Sequence, residues 1–173
     1  MVDLIGPIDV GNALVRWTVR LAVAGLAAFW LMAVAGRPGP AARRTVYTVA
    51  WALYILHVFA AFQFVHDWNH AAAWAEVARQ TEAATGVASG VGLLVNHAVT
   101  LLWTADVVLR WTARCEPPPA RVRIVRVVVQ AVLIFVTVQA TVVFGPPGWW
   151  IVATAYCIGL GTIWAVGRGW PNL

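Results

Sequence analysis

Lysine is absent from this chain of 173 residues, and all 12 of its basic residues are arginine. A retinal Schiff base needs a lysine amine, so an opsin-like pigment is excluded. Charge is scarce at 11% of residues, whereas 61% are hydrophobic and the mean hydropathy is +0.76. That balance is too apolar for a soluble domain of this length and predicts a chain built for a bilayer. Only two cysteines occur. Cys115 falls in an arginine-rich loop and Cys157 in an apolar run, with no CxxC, CxxCH or paired spacing, which argues against zinc, covalent haem or a disulfide framework. Also missing are a phosphate-cradling glycine loop, a GxSxG elbow and a placed Ser-His-Asp set. The net charge of +5 does not call for nucleic acid, because the arginines stand at the ends of apolar runs, where water and phospholipid headgroups meet them.

A hydrocarbon core of ~30 Å takes roughly 20 apolar residues at ~1.5 Å each. Five segments meet or approach that length: Ala13 to Ala35, Thr45 to Val65, Val87 to Leu109, Val125 to Phe144 and Trp150 to Val166. Turn-rich breaks separate them, among them Arg37-Pro38-Gly39-Pro40, Pro117-Pro118-Pro119 and Gly145-Pro146-Pro147-Gly148. The predicted fold is a single all-α integral membrane domain of about five transmembrane helices, or four if the first is not a full span. Arg16 and Arg20 lie in the opening turns of that first span and must snorkel to the interface. Residues Arg16 to Ala35 also imitate a signal peptide, with Ala33-Val34-Ala35 as a small-residue cleavage site, but are read as an uncleaved first helix.

Nine of the arginines fall on one side of this topology: Arg37, Arg43 and Arg44 in the first loop, Arg110, Arg114, Arg121, Arg123 and Arg126 around the third, and Arg168 in the tail. The other side holds Arg79, with Arg16 and Arg20 near the start. The arginine-rich side is therefore expected to be cytoplasmic, with the N-terminus outside and the C-terminus inside a bacterial inner membrane. Tryptophans form matching belts, Trp17, Trp68, Trp74, Trp149 and Trp150 near the outer boundary and Trp30, Trp111 and Trp170 near the inner one. The long outer loop contains an alanine-rich stretch, Ala71 to Thr85, that predicts a short surface helix. Asp67 or Asn69 would cap it, and Trp74, Val77, Ala78 and Thr81 would form an apolar stripe against the membrane.

Three of the four histidines crowd into YILHVFAAFQFVHDWNH, and the fourth sits in LLVNHAVTLLW. With the outer boundary near Val65 and Gly86, His57 and His97 lie ~12 Å and ~17 Å deep at helical rise. Two imidazoles at nearly equal depth on antiparallel neighbours suit the axial ligation of a b-type haem, with room left by Ala60, Ala61, Gly86, Ser89, Gly90 and Gly92. The same small residues also suit close helix packing, and either histidine could instead bond Asn96, Thr100 or a backbone carbonyl. His66 and His70, spaced i and i+4, would share a face if helix ran through them and could then grip Cu, Fe or Zn. Asp67 could serve as third ligand or outer-shell carboxylate, and Glu76 or Glu82 could fold back. His57 and His66, about 900° apart along a continuous helix, point to opposite sides, so one site cannot easily use both: either the helix breaks near Asp67, or His57 serves an intramembrane site while His66 and His70 serve a surface one. No histidine lies in the inner half to support a second haem. Four histidines are also too few for the multi-box di-iron site of a membrane desaturase or hydroxylase.

Asp106 could extend a proton path, but Arg110 at i+4 favours a simple ion pair. The leading expectation is a small haem b electron-transfer subunit that uses His57 and His97 and exchanges electrons with a quinone or redox partner on the outer side. One alternative is a non-haem metal protein, possibly an oxidative enzyme, built from His66, His70 and Asp67. The other is a cofactor-free assembly subunit, and in each case a homo-oligomer or a place in a larger membrane complex is expected.

Overall fold

The computed structural model describes residues 10–113, 119–143 and 148–167. Arg114, Cys115, Pro117, Pro118, Gly145 to Pro147, Arg168 and Trp170, invoked above, lie outside the described residues. Everything described is helix or turn. The helices are α1 (Val10–Ala35), α2 (Pro40–Phe64), α3 (His70–Thr85), α4 (Val91–Thr112), α5 (Ala120–Val138) and α6 (Trp149–Gly167), with one π-helical stretch, Gln139–Val143, after α5. Four helical stretches are long and apolar enough to cross a membrane, Val10–Ala35, Pro40–Phe64, Val91–Thr112 and Ala120–Val142, and Trp149–Gly159 is a shorter apolar helix.

Local chemistry sets the ends of these helices. Gly36 takes a positive φ of 66° after α1, its N–H donating to Ala33 O, and Pro40 then starts α2 at a position where the missing N–H costs nothing. The Asn69 side chain accepts from the N–H groups of Ala71 and Ala72 and caps α3, as its position before the alanine-rich stretch predicts. Gly86 ends α3 in the left-handed conformation, φ 78°, with its N–H on Glu82 O. The chain needs four further residues to turn, so α4 begins at Val91 rather than at the Val87 expected from hydropathy.

α1 and α2 form an antiparallel hairpin so close that a Cβ on Gly25 would stand 3.0 Å from that of Ala50. α4 packs on α2, α5 on α4, and α6 returns to α1. The larger core cluster lies at the end of the bundle away from α3 and includes Leu26, Phe29 and Trp30 from α1, Tyr47 and Ala50 from α2, Val99, Trp103 and Val107 from α4, and Val129 and Leu133 from α5. A smaller cluster, Phe62, Ala73 and Leu93, holds the other end together.

Inside the larger cluster sits a polar network. Asp106 is fully buried, and its Oδ2 accepts from Tyr47 Oη at 2.8 Å, Arg110 Nε at 2.9 Å and Gln130 Nε2 at 3.3 Å. Gln130 also donates to Tyr47 Oη at 3.0 Å and accepts from Trp30 Nε1 at 2.9 Å, so α1, α2, α4 and α5 all contribute. Arg126 Nε lies 3.9 Å from Asp106 Oδ1. The i,i+4 pair expected of Asp106 and Arg110 is present, within a larger assembly. Breaking a buried ion pair leaves an uncompensated charge and costs ~3–5 kcal/mol, whereas a neutral hydrogen bond in such a setting is worth about 1 kcal/mol. Asp106→Ala is therefore expected to lower the thermal midpoint of the detergent-solubilised protein far more than Tyr47→Phe, as circular dichroism melts would register. Equal small shifts for the two variants would show that Asp106 is not the anchor of the network.

Candidate histidine site at the α3 end

α2 ends at Phe64, and the next five residues reverse the chain. The N–H groups of Val65 and His66 both donate to Ala61 O, Trp68 N–H donates to Phe62 O, and Asn69 N–H to His66 O. Asp67 and Trp68 take positive φ values of 45° and 57°, an unfavourable conformation for residues with a Cβ that the surrounding bonds hold in place. The helix on which His66 and His70 would have shared a face is thus interrupted between them. His66 belongs to the turn and His70 opens α3. Asp67 is exposed at the apex of that turn.

The reversal lays α3 across the start of α4. A Cβ on Gly90 would collide with the Trp74 ring, and one on Gly92 would stand 3.0 Å from Val77. The apolar stripe expected to rest on the membrane therefore rests in part on α4, because glycine leaves a slot that the indole and Val77 fill. Those side chains occupy the space beside Gly90 and Gly92 in which the sequence left room for a porphyrin.

This docking brings together two histidines that are 27 positions apart in sequence. The His70 and His97 ring centroids are 5.7 Å apart, with the planes inclined by 34°. Phe62 packs against both, at 5.1 Å from His70 and 6.2 Å from His97, and its ring also meets His66 and Trp68, each at 5.8 Å. His97 Nδ1 lies 2.7 Å from Leu93 O. A carbonyl oxygen can only accept, so Nδ1 carries the proton and Nε2 of the neutral ring keeps its lone pair.

The remaining candidates are placed elsewhere. His57 donates from Nδ1 to Val15 O of α1 at 2.9 Å and meets the Tyr54 ring, so it and His97 turn to different neighbours. The Asn96 carbonyl accepts from Thr100 Oγ1 and Tyr54 Oη. Glu76 is engaged by Gln80 Nε2 and by Arg79, whose hydrogen bonds hold its carboxyl below the usual carboxylate range. Among the described residues, no group of three or more His, Cys, Asp or Glu side chains is gathered closely enough to hold a metal ion. Phe62 was not singled out by sequence. The signal that points to it is its spacing, four residues before His66 on the last turns of an apolar helix.

Comparison with known protein families, curated proteins and solved structures finds no match for this chain.

The seating of Trp74 over Gly90 is the feature on which the His70–His97 pair depends. Overpacking of a filled contact costs ~1–3 kcal/mol, enough to raise local opening about tenfold. Gly90→Leu is expected to accelerate tryptic cleavage after Arg79 by about that factor, while Gly39→Leu, at a glycine with open space around it, leaves the rate unchanged. Equal rates in the two variants would mean that α3 does not dock through this slot.

Proposed function

We propose that this chain is a bacterial inner-membrane protein of five transmembrane helices, N-terminus outside and C-terminus cytoplasmic, that binds a transition-metal ion between His70 and His97 at its outer face. Several exposed apolar side chains support the bilayer, among them Leu21, Leu56, Phe59, Leu101, Ile124 and Phe135. In water they would make large patches that a monomeric soluble protein does not carry. The orientation rests on arginine placement. Arg43, Arg44, Arg110, Arg121, Arg123 and Arg126 gather at the end away from α3, and the α3 end holds Arg16, Arg20 and Arg79.

The observation that carries the metal reading is the spacing of the two imidazoles. A metal bound at ~2.0–2.1 Å from a ring nitrogen lies about 3 Å from the ring centre, so two rings on one ion stand roughly 5–6 Å apart. The 5.7 Å between His70 and His97 falls in that interval. The bond from His97 Nδ1 to Leu93 O supplies the partner that orients a ligating imidazole and leaves Nε2 as donor. Imidazole nitrogen suits Cu, Zn or Fe, and two protein ligands leave positions open to water or to a small molecule.

A bare ion is favoured over haem b for a steric reason. Phe62 packs against both rings where a macrocycle clamped by them would have to pass. Haem held instead by His57 and His97 would need two rings that turn to different neighbours, Val15 of α1 and His70 of α3, to face one another.

The purified full chain, equilibrated with Zn²⁺ or Cu²⁺ and passed through a desalting column, is expected to retain about one ion by elemental analysis. His70→Ala and His97→Ala should each weaken retention by more than about 100-fold, beyond the range of outer-shell changes, with His57→Ala close to wild type. Retention indifferent to His70 and His97 would overturn the metal reading. Sharp reduced visible bands that vanish in His57→Ala and His97→Ala would replace it with haem.

A further inference from the structure

The end of the bundle opposite α3 carries more positive charge than its partners account for. Asp106 is the acidic side chain in contact with the arginines there among the described residues, and its Oδ2 is already shared by Tyr47, Gln130 and Arg110. Three guanidinium nitrogens are nevertheless shielded from solvent with no hydrogen-bond acceptor: Arg43 Nη1, Arg44 Nε and Arg110 Nη2. Guanidinium groups removed from water without acceptors are costly, and an anion that reached them would recover that cost.

The arrangement is also prepared on its open side. The Arg44 guanidinium carbon lies over the Trp111 ring, 4.1 Å from its centroid, and Nη1 donates to Arg110 O at 3.4 Å. Trp111 is itself fixed by donating from Nε1 to Thr48 Oγ1 at 2.9 Å. Arg110 is held between its bond to Asp106 and the Tyr47 ring, 4.5 Å from that centroid. These ring contacts hold the guanidinium groups in place, and planar, charge-assisted hydrogen bonds are the means by which arginine takes an oxyanion. Arg43 and Arg44 are only half-buried, in the first turn of α2, level with the last turn of α4. That is the depth at which the apolar part of both helices ends and a headgroup begins.

We propose that Arg43, Arg44 and Arg110, with Trp111 as floor, form a binding site for a phosphate-bearing anion, filled by the headgroup of an anionic phospholipid or by free phosphate. The site is independent of the histidines and stands or falls without the metal reading. Its ligand would satisfy the three stranded donors and would stitch the start of α2 to the end of α4.

The test uses the delipidated full chain in detergent, observed by native mass spectrometry with dioleoylphosphatidylglycerol, dioleoylphosphatidylcholine or inorganic phosphate added. The expected result is one retained phosphatidylglycerol, held about tenfold more tightly than phosphatidylcholine. Arg44→Gln should weaken that retention about fivefold to tenfold, and Arg121→Gln, which removes an exposed charge from α5, should not. Should Arg44→Gln fail to fold, Arg43→Gln serves in its place. Displacement of the lipid by millimolar inorganic phosphate would assign the site to free phosphate, and resistance to it would assign it to the headgroup. Equal retention of the two lipids, or equal loss in Arg44→Gln and Arg121→Gln, would overturn the proposal.

Discussion

The carboxylate of Asp106 is the constraint around which the bundle is arranged. In the bilayer proposed for this bundle, apolar side chains gain little by meeting one another, because lipid tails are as apolar as they are. What distinguishes one arrangement of helices from another is then close packing and directional polar bonds. Asp106 draws Tyr47 from α2 and Gln130 from α5, and Gln130 in turn takes the indole N–H of Trp30 from α1. A helix rotated by one residue, about 100°, would strand a charge or an amide in hydrocarbon. The network thereby fixes rotation as well as proximity. The aromatic rings around it, Phe29 at 4.6 Å from Tyr47 and Trp103 at 5.7 Å, keep water from the carboxylate.

Stability is unevenly distributed as a result. The end that contains Asp106 has the larger cluster, four helices and charge-assisted bonds. The α3 end has a smaller cluster and a short surface helix, seated by one indole and one valine in glycine slots and capped by one asparagine. Sites that must admit a ligand are drawn from the less stable parts of a fold, and the histidines lie there. The anchored end holds the register of α2 and α4, and α4 presents His97 while α2 delivers the turn that launches α3. Rigidity at one end is thus what allows a loosely held element at the other to be positioned at all.

How much of this was legible in the sequence depended on the range of each interaction. The α3 helix was readable and its cap was narrowed to Asp67 or Asn69, because a cap acts within three residues; the structure uses Asn69. The Asp106–Arg110 pair was readable because i,i+4 neighbours meet on any helix. Gln130 was not singled out, because nothing local shows that it reaches Trp30 and Tyr47, 100 and 83 positions away. Helical rise gave the place of each histidine along its helix, and not its azimuth. His57 stands seven residues before the end of α2 and His97 six after the start of α4, yet helical phase turns one towards α1 and the other towards α3. The turn at His66 to Asn69 was harder still, since its two left-handed residues are Asp67 and Trp68, and tryptophan carries no preference for that conformation.

The two deep histidines satisfy the same need by different means, and this separates what each is free to do. Both donate from Nδ1 to a backbone carbonyl, so in both the proton is fixed and Nε2 is the acceptor. For His97 the carbonyl belongs to Leu93, one turn back on its own helix. Its tautomer is set by α4 alone and does not depend on any neighbour, so α3 can dock or undock without altering the donor it offers. For His57 the carbonyl is Val15 on α1, so its tautomer exists only while α1 and α2 are packed. His57 is therefore a tie across the first hairpin, and drawing it to a ligand elsewhere would leave the Val15 carbonyl and the α1–α2 contact short of a bond. A metal at His97 carries no such structural cost, which is the physical reason for favouring the histidine pair at the α3 end over the pair matched by depth.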